Sequence, residues 1–332
     1  MRNLSADEPV PDGPTSDSPT AELWRRRTRL SPAIGSATAL IGIDSMTLAD
    51  ATAISLAASD EAAHLLDGME LRLRTLNTTV ATSAERCVFS VRGPVLWSET
   101  ITARANALGN EDVFVCMTTS RSFNTVENQI LVAALDSIAR AERALKGPTG
   151  EMVDPGEVER IAAVAQEARR WRNNPRLADV KVGRISGRSF ARMRGGHRMA
   201  RMTPVLAIRN RVNEPFVPED VDGLADDHTR AYHGFVLRVL DAAGEATGRI
   251  PHLTFSDGGL WSGPLMFRHP AAPGPGDAGL TLRGRPILPP PELIDGAPWA
   301  DRLPSEGERV DDDADLASLV GRISPDPAPS RR

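Results

Sequence analysis

The sequence predicts an α+β protein with a mixed N-terminal region, a helical middle carrying an arginine patch, a small C-terminal β-sheet and disordered termini. Three observations carry this expectation. Short β-branched and aromatic runs at 86–91 and 112–117 read as strands, and capped, periodically apolar stretches between 121 and 174 read as helices. Past Gly244 the texture changes to short strand-like pieces between Gly, Pro and Asp turns. Both ends are rich in Pro, Ser and acids and poor in apolar residues, the composition of chain that cannot bury a core.

In chain order, residues 1–30 are expected to be disordered, and 31–150 form an α+β region ending in a long helix. Between its two strands, 97–108 reads as a short helix before Gly109. The long helix begins at Asn124, which can cap it while Glu127, three residues on, reaches back to the cap backbone, and it stops at Gly147-Pro148. Residues 151–245 are expected to be helical. Asp154 as cap, Pro155 at the first position and Glu157 three residues after the cap open one helix, which ends before Asn174-Pro175. The arginine patch follows, then an apolar run at 204–208 and a third helix over about 224–243. A small β region, 246–290, and a mostly disordered acidic tail, 291–332, complete the chain.

With 332 residues, 41% hydrophobic and 25% charged, the chain can bury a substantial core. Leu, Ile and Val nowhere run unbroken for the eighteen residues that a bilayer span needs, so no membrane partner is expected. The acidic, Pro/Ser-rich start has no apolar stretch of the kind a secretory signal carries, and the expected compartment is the cytoplasm. Cys87 and Cys116, far apart in sequence, suit neither a disulfide framework nor a cysteine zinc site and read as small buried hydrophobes.

The net charge of -5 is unevenly distributed. Segment 169–211 holds thirteen cations against one acid, Asp179. Lys146 and Lys181 are the chain's two lysines, so the signal is almost pure arginine. The planar guanidinium can hold a phosphate or a guanine edge with paired hydrogen bonds, which points to DNA as partner. The candidate contacts are Arg169, Arg170, Arg172, Arg184, Arg188, Arg192, Arg194, Arg198 and Arg201. Trp171 can stack on a base or on a neighbouring guanidinium. Trp97 and Trp261 are expected in the core. The plain reading of the arginines is a solvated basic face, or one paired with acids of this protein or of a partner. The aspartates near 311–313 can also fold back on the patch and compete with phosphate.

Arg92, Gly93, Trp97 and Thr100, then Asn124, Thr125, Glu127 and Asn128, follow a pattern that resembles the McrC-type subunits of modification-dependent restriction systems and a related bacterial domain found ahead of PD-(D/E)XK nucleases. Gln129 replaces that pattern's usual Arg. Short likenesses continue to about Arg211, so the resemblance covers roughly half the chain. It implies a subunit of a DNA-targeting defence system that works beside a nucleotide-hydrolysing motor. The nuclease of that family uses an Asp, then an acid, one residue and a Lys, to hold Mg²⁺ and orient water. No lysine follows Arg211, and Asp257 is the lone carboxylate of the first sheet piece, so the nuclease part is degenerate or missing.

The reading is therefore a non-catalytic DNA-binding or adaptor component with no cofactor, no catalytic residue and no metal ligand assigned. Two alternatives stand beside it. One is a diverged Mg²⁺-dependent nuclease, for which Asp179-Val180-Lys181 with Asp154 and Glu157 is the available string. The other is a module that docks an acidic protein through its arginines. His197 reads as a contact within the basic patch, and His228 and His233, five apart, do not share a helix face for zinc.

Overall fold

The computed structural model describes residues 18–183, 197–274 and 278–323. In chain order its helices are α1 (Pro19–Arg25), α2 (Ala33–Ile41), α3 (Ser45–Ala57), α4 (Asp60–Asp67), α5 (Met69–Arg74), α6 (Trp97–Asn106), α7 (Val126–Ala139), α8 (Ala141–Ala144), α9 (Pro148–Glu151), α10 (Pro155–Arg172), α11 (His197–Asn213), α12 (Pro218–Leu224), α13 (Asp227–Thr247) and α14 (Asp313–Gly321). The strands are β1 (Thr79–Val88), β2 (Val113–Ser122), β3 (Thr254–Ser256), β4 (Gly259–Ser262), β5 (Leu265–Arg268), β6 (Gly279–Leu282), β7 (Arg285–Leu288) and β8 (Glu308–Arg309). The class is α+β. No described helix is long and apolar enough to cross a membrane.

The chain divides into two compact units, Asp50–Val212 and the described residues of Met1–Ala49 with Asn213–Arg332. These boundaries differ from the divisions at 30, 150, 245 and 290 expected from the sequence pattern. Long-range packing joins the two ends of the chain, and no local change of texture marks such a join.

In the unit that joins the ends, α13 presents Tyr232, Phe235, Val236, Val239 and Leu240 to one core with Leu23, Trp24, Leu40, Phe267, Leu280, Trp299 and Leu319. The sheet has strand order β3-β4-β5-β6-β7-β8, antiparallel except that β8 runs parallel to β7. Asp257-Gly258 and Arg283-Gly284 form two of its two-residue turns, with φ of 51° and 79°, and 51° and 78°. A two-residue hairpin loop with both φ positive matches the twist of the strands it joins. Asp257 is thus a turn residue and not part of a strand-borne carboxylate site.

Two expectations of disorder are corrected. Residues 1–17 lie outside the described residues, but 18–30 are folded: Leu23 and Trp24 are buried, and Leu253 N–H and C=O bond Arg26 O and Thr28 N at 2.9 and 2.8 Å. The tail to Ile323 is folded as well. Val310 N donates to Leu288 O at 3.1 Å, Trp299, Leu316, Leu319 and Ile323 enter the core, and Asp312 caps α14 through the N–H groups of Ala314 and Asp315. A few well-placed large side chains outweigh a polar average, because burial of one such side chain contributes about 1.5–3 kcal/mol.

Two buried histidines knit this unit. His233 faces Thr20 Oγ1 through Nδ1 and the Leu40 carbonyl through Nε2, both at 2.8 Å. The carbonyl can only accept, so Nε2 carries the proton. His269 Nδ1 accepts from Ala271 N at 3.1 Å, which leaves its Nε2–H for Thr229 Oγ1 at 3.0 Å. Burial lowers the pKa of His233 to about 4, and burial with the neighbouring His233 lowers that of His269 to about 3. Both rings are neutral in the folded protein, whereas the unfolded chain protonates them below about pH 6.5. Their contribution to stability is therefore complete above pH 6.5 and declines as pH falls toward 4. Urea unfolding between pH 6.5 and 5 should show stability dropping by about 1.4 kcal/mol per pH unit for each histidine once the unfolded ring is protonated. A flat profile over that window would contradict this account.

Candidate nucleic-acid interface

The second unit is built on α7 and α10, whose Ile130, Leu135 and Ile138, and Ile161, Ala165 and Ala168, share one core with Leu65, Met69 and Leu177. Residues 204–208 lie in α11, where Met202, Val205 and Ile208, three apart, face the same core. α10 starts as expected, with Asp154 accepting from Gly156 N at 3.0 Å. α7 starts one residue later than expected: Thr125 is the cap and accepts from Asn128 N. Asn124 Oδ1 accepts instead from Lys181 N at 3.2 Å and Gln129 Nε2 at 2.9 Å. α7 also ends earlier, at Ala139, with α8 after a break at Arg140.

The described part of the arginine segment is held mostly by this unit's own acids and carbonyls. Arg169 donates to Glu142 at 2.8 Å, Arg172 to Asp136 at 3.0 Å, and Arg211 to Glu61 at 3.2 Å. Arg176 donates to the Leu73 carbonyl at 2.7 Å, and Arg170 pairs with Glu167 at 3.5 Å. Cations in the last turn of α10 also complement the negative end of the helix dipole. Trp171 is half-buried against the core. Its Nε1 donates to Glu167 at 3.1 Å and the Arg170 guanidinium lies 4.9 Å from its ring, so the stacking partner present is a neighbouring guanidinium. Arg184, Arg188, Arg192 and Arg194 lie outside the described residues, as do the side chains of Arg198 and Arg201 and of His197.

The antiparallel packing of α10 against α7 brings Arg140, Arg143, Lys146, Arg169 and Arg172 around one open cleft of about 480 Å³, with Asp136, Glu142 and Asn173. Five cations against two carboxylates give it a surplus of positive charge. The hydrogen bond from Arg169, with the charges of Arg169 and Lys146, holds the Glu142 carboxyl below its ordinary range, so it stays ionised. Arg140 and Arg143 are exposed and have no acid partner among the described residues. The cleft can seat a phosphate. Sequence reading missed Arg140, Arg143 and Lys146, because nearby acids cancel their charge in any local count.

The residues carrying the family resemblance build local structure. β1 and β2 pair antiparallel from Thr79↔Ser122 to Val88↔Val113, longer than the expected strands and shifted from them. Along the outer edge of β2, Leu96 N donates to Val115 O and Met117 N to Pro94 O, both at 2.8 Å. Buried Thr100 accepts from Val115 N at 2.9 Å through its hydroxyl, and Arg104 Nε donates to Val113 O at 2.9 Å. Gly93 is needed here, since a Cβ would stand 2.3 Å from Met117 O. Asn128 Nδ2 donates to Asn77 O at 2.9 Å and Phe123 O at 2.7 Å, tying the hairpin's two ends together. Glu127 lies in the first turn of α7, and Arg92 is exposed.

Cys87 and Cys116 are buried as expected, but they lie on these neighbouring strands, and burial with the adjacent Cys116 thiol raises the Cys87 pKa. Trp97 is 62% exposed and Trp261 37%, which corrects their assignment to the core. The nuclease string is dispersed. Asp154 caps the start of α10, whereas Lys181 lies beside Asn124 beyond that helix's other end, about 27 Å of helix away. Among the described residues no three His, Cys, Asp or Glu side chains are grouped to hold a metal ion.

No family model, curated protein or solved structure matches this chain.

Thr100→Val should destabilise the protein by about 1–3 kcal/mol in urea unfolding, because it strands the buried Val115 N–H, and Thr100→Ser should restore most of the loss. Equal stability of Thr100→Val and wild type would show that the hydroxyl does not close this edge.

Proposed function

We propose that this protein is a non-catalytic DNA-binding or adaptor component, similar in role to McrC-type restriction subunits, that contacts phosphates through the cationic cleft of α7, α8 and α10. The observation that carries this reading is the convergence of Arg140, Arg143, Lys146, Arg169 and Arg172 on one open surface. Contacts of this kind position a duplex without reading its sequence. The segment from Arg184 to Arg201 adds further cations to the same chain, and a nucleotide-hydrolysing motor would supply the movement that this chain does not. The compartment in this reading is the cytoplasm.

A second reading, docking of an acidic protein, is favoured by the pairs Arg169–Glu142 and Arg172–Asp136, in which the same arginines already donate to carboxylates. A diverged nuclease is not favoured, because Asp154 and Glu157 stand at the opposite end of α10 from Asp179 and Lys181.

The test is binding of labelled duplex DNA across a salt series. Each phosphate contact on duplex contributes about -0.9 to the slope of log K against log salt. Arg140→Ala/Arg143→Ala/Arg169→Ala should therefore flatten the slope by about 2.7, and Arg192→Ala/Arg194→Ala/Arg198→Ala should flatten it independently. Absence of binding at low salt, or an unchanged slope in the cleft variant, would overturn the reading, and capture of an acidic peptide by the same residues would favour the second.

A further inference from the structure

The two edges of the β1–β2 hairpin are treated oppositely. Phe89 N donates to Asp112 O at 3.0 Å, which makes Phe89↔Asp112 a hydrogen-bonded pair in the register of the ladder. Facing pairs alternate in an antiparallel ladder. The odd-numbered residues of β1 therefore turn their N–H and C=O toward β2, and the even-numbered ones, Val80, Thr82, Ala84, Arg86 and Val88, turn theirs outward. On β2 the outward groups of Val113, Val115 and Met117 are met by Arg104, Thr100, Leu96 and Pro94. Among the described residues nothing pairs with the other edge of β1, and the strand order is β1-β2. Thr82, Ala84, Arg86 and Val88 are all exposed.

An open edge of this length is a template for another strand. The strand TVATSAERCV contains no proline or lysine, the residues that commonly blunt such an edge, and one residue of each charge. We infer that this edge pairs with the same edge of a second copy of the chain, about a two-fold axis through Ala84, to give a continuous antiparallel sheet β2-β1-β1-β2.

The register argues for this occupant. A two-fold axis perpendicular to the sheet pairs only residues of equal parity, and every outward-facing residue of β1 is even. Centred on Ala84, the axis sets Val80 against Val88, Thr82 against Arg86 and Ala84 against itself. Each of the five facing pairs can exchange two main-chain hydrogen bonds. In the intervening pairs Ser83 meets Glu85, so no like charges stand opposite each other, and the exposed valines cover one another at both ends. Centring on Glu85 or Arg86 would oppose identical charges, and centring on Ser83 would set Val80 against Arg86. An isologous contact of this kind closes after two copies.

The experiment is sedimentation equilibrium of the full chain from about 1 to about 100 μM. Wild type should move from one chain to two over this range. Ala84→Pro removes an N–H that points away from β2, a change an edge strand tolerates, and it should remain a folded monomer throughout. T82E sets a carboxylate opposite Arg86 of the second copy and should tighten the dimer about threefold, whereas T82R opposes two guanidiniums and should weaken it by a similar factor. A wild-type monomer at every concentration, a dimer that survives Ala84→Pro, or equal effects of T82E and T82R would overturn the inference. Since no residue of the cationic cleft takes part, the result is independent of DNA binding.

Discussion

A main-chain N–H or C=O at the edge of a sheet must find a partner or stay in water. Much of this protein's polar chemistry is committed to that requirement. The Thr100 hydroxyl, the Arg104 guanidinium and the segment from Pro94 to Leu96 close the outer edge of β2 from Val113 to Met117. Asn128 supplies donors to the carbonyls of Asn77 and Phe123, Arg176 to that of Leu73, and His233 to that of Leu40. Residue types that suggest catalysis or nucleotide contact in a bare sequence here hold loops and strand edges in place. Among the described residues, two surfaces stand apart from this pattern: the outer edge of β1 and the cationic cleft beside α10.

The electrostatics follow the same logic. A surplus of arginines on two packed helices raises the energy of the unit unless acids or water offset it, and Glu142 and Asp136 are spaced to do so. Exposed pairs of this sort contribute little stability each. Their effect is on geometry, since each fixes the direction of a long side chain. Arg169 and Arg172 are thereby held along one wall of the cleft while Arg140 and Arg143 remain exposed on the other. A phosphate entering there meets guanidiniums that are partly oriented, at the cost of competing with two carboxylates.

Much of this architecture was legible in the residues. Asp154 and Pro155 marked the start of α10, Asn174-Pro175 its end, and the Gly/Asp turns after Gly244 announced a sheet of short strands. The N-cap of α7 was misplaced by one residue because Asn124 and Thr125 are both good caps, and only the tertiary contact of Asn124 with Lys181 N decides between them. The folded ends were hidden by their polar composition, since Trp24 and Trp299 find their core through residues about two hundred positions away or more than fifty, respectively. The cleft was hidden for a related reason: its cations come from two segments, and a running charge count registers only the second. The exposure of Trp97 had no local signal, because its spacing on α6 suits a buried face as well as an open one.

The opposite treatment of the two hairpin edges is the central claim, and residue-resolved amide hydrogen exchange in dilute protein tests it most directly. The account predicts strong protection of Val115 and Met117 on the closed edge of β2, and rapid exchange of Thr82, Ala84 and Arg86 on the open edge of β1. Protection of the β1 amides in dilute monomer, or rapid exchange at Val115 and Met117, would contradict it.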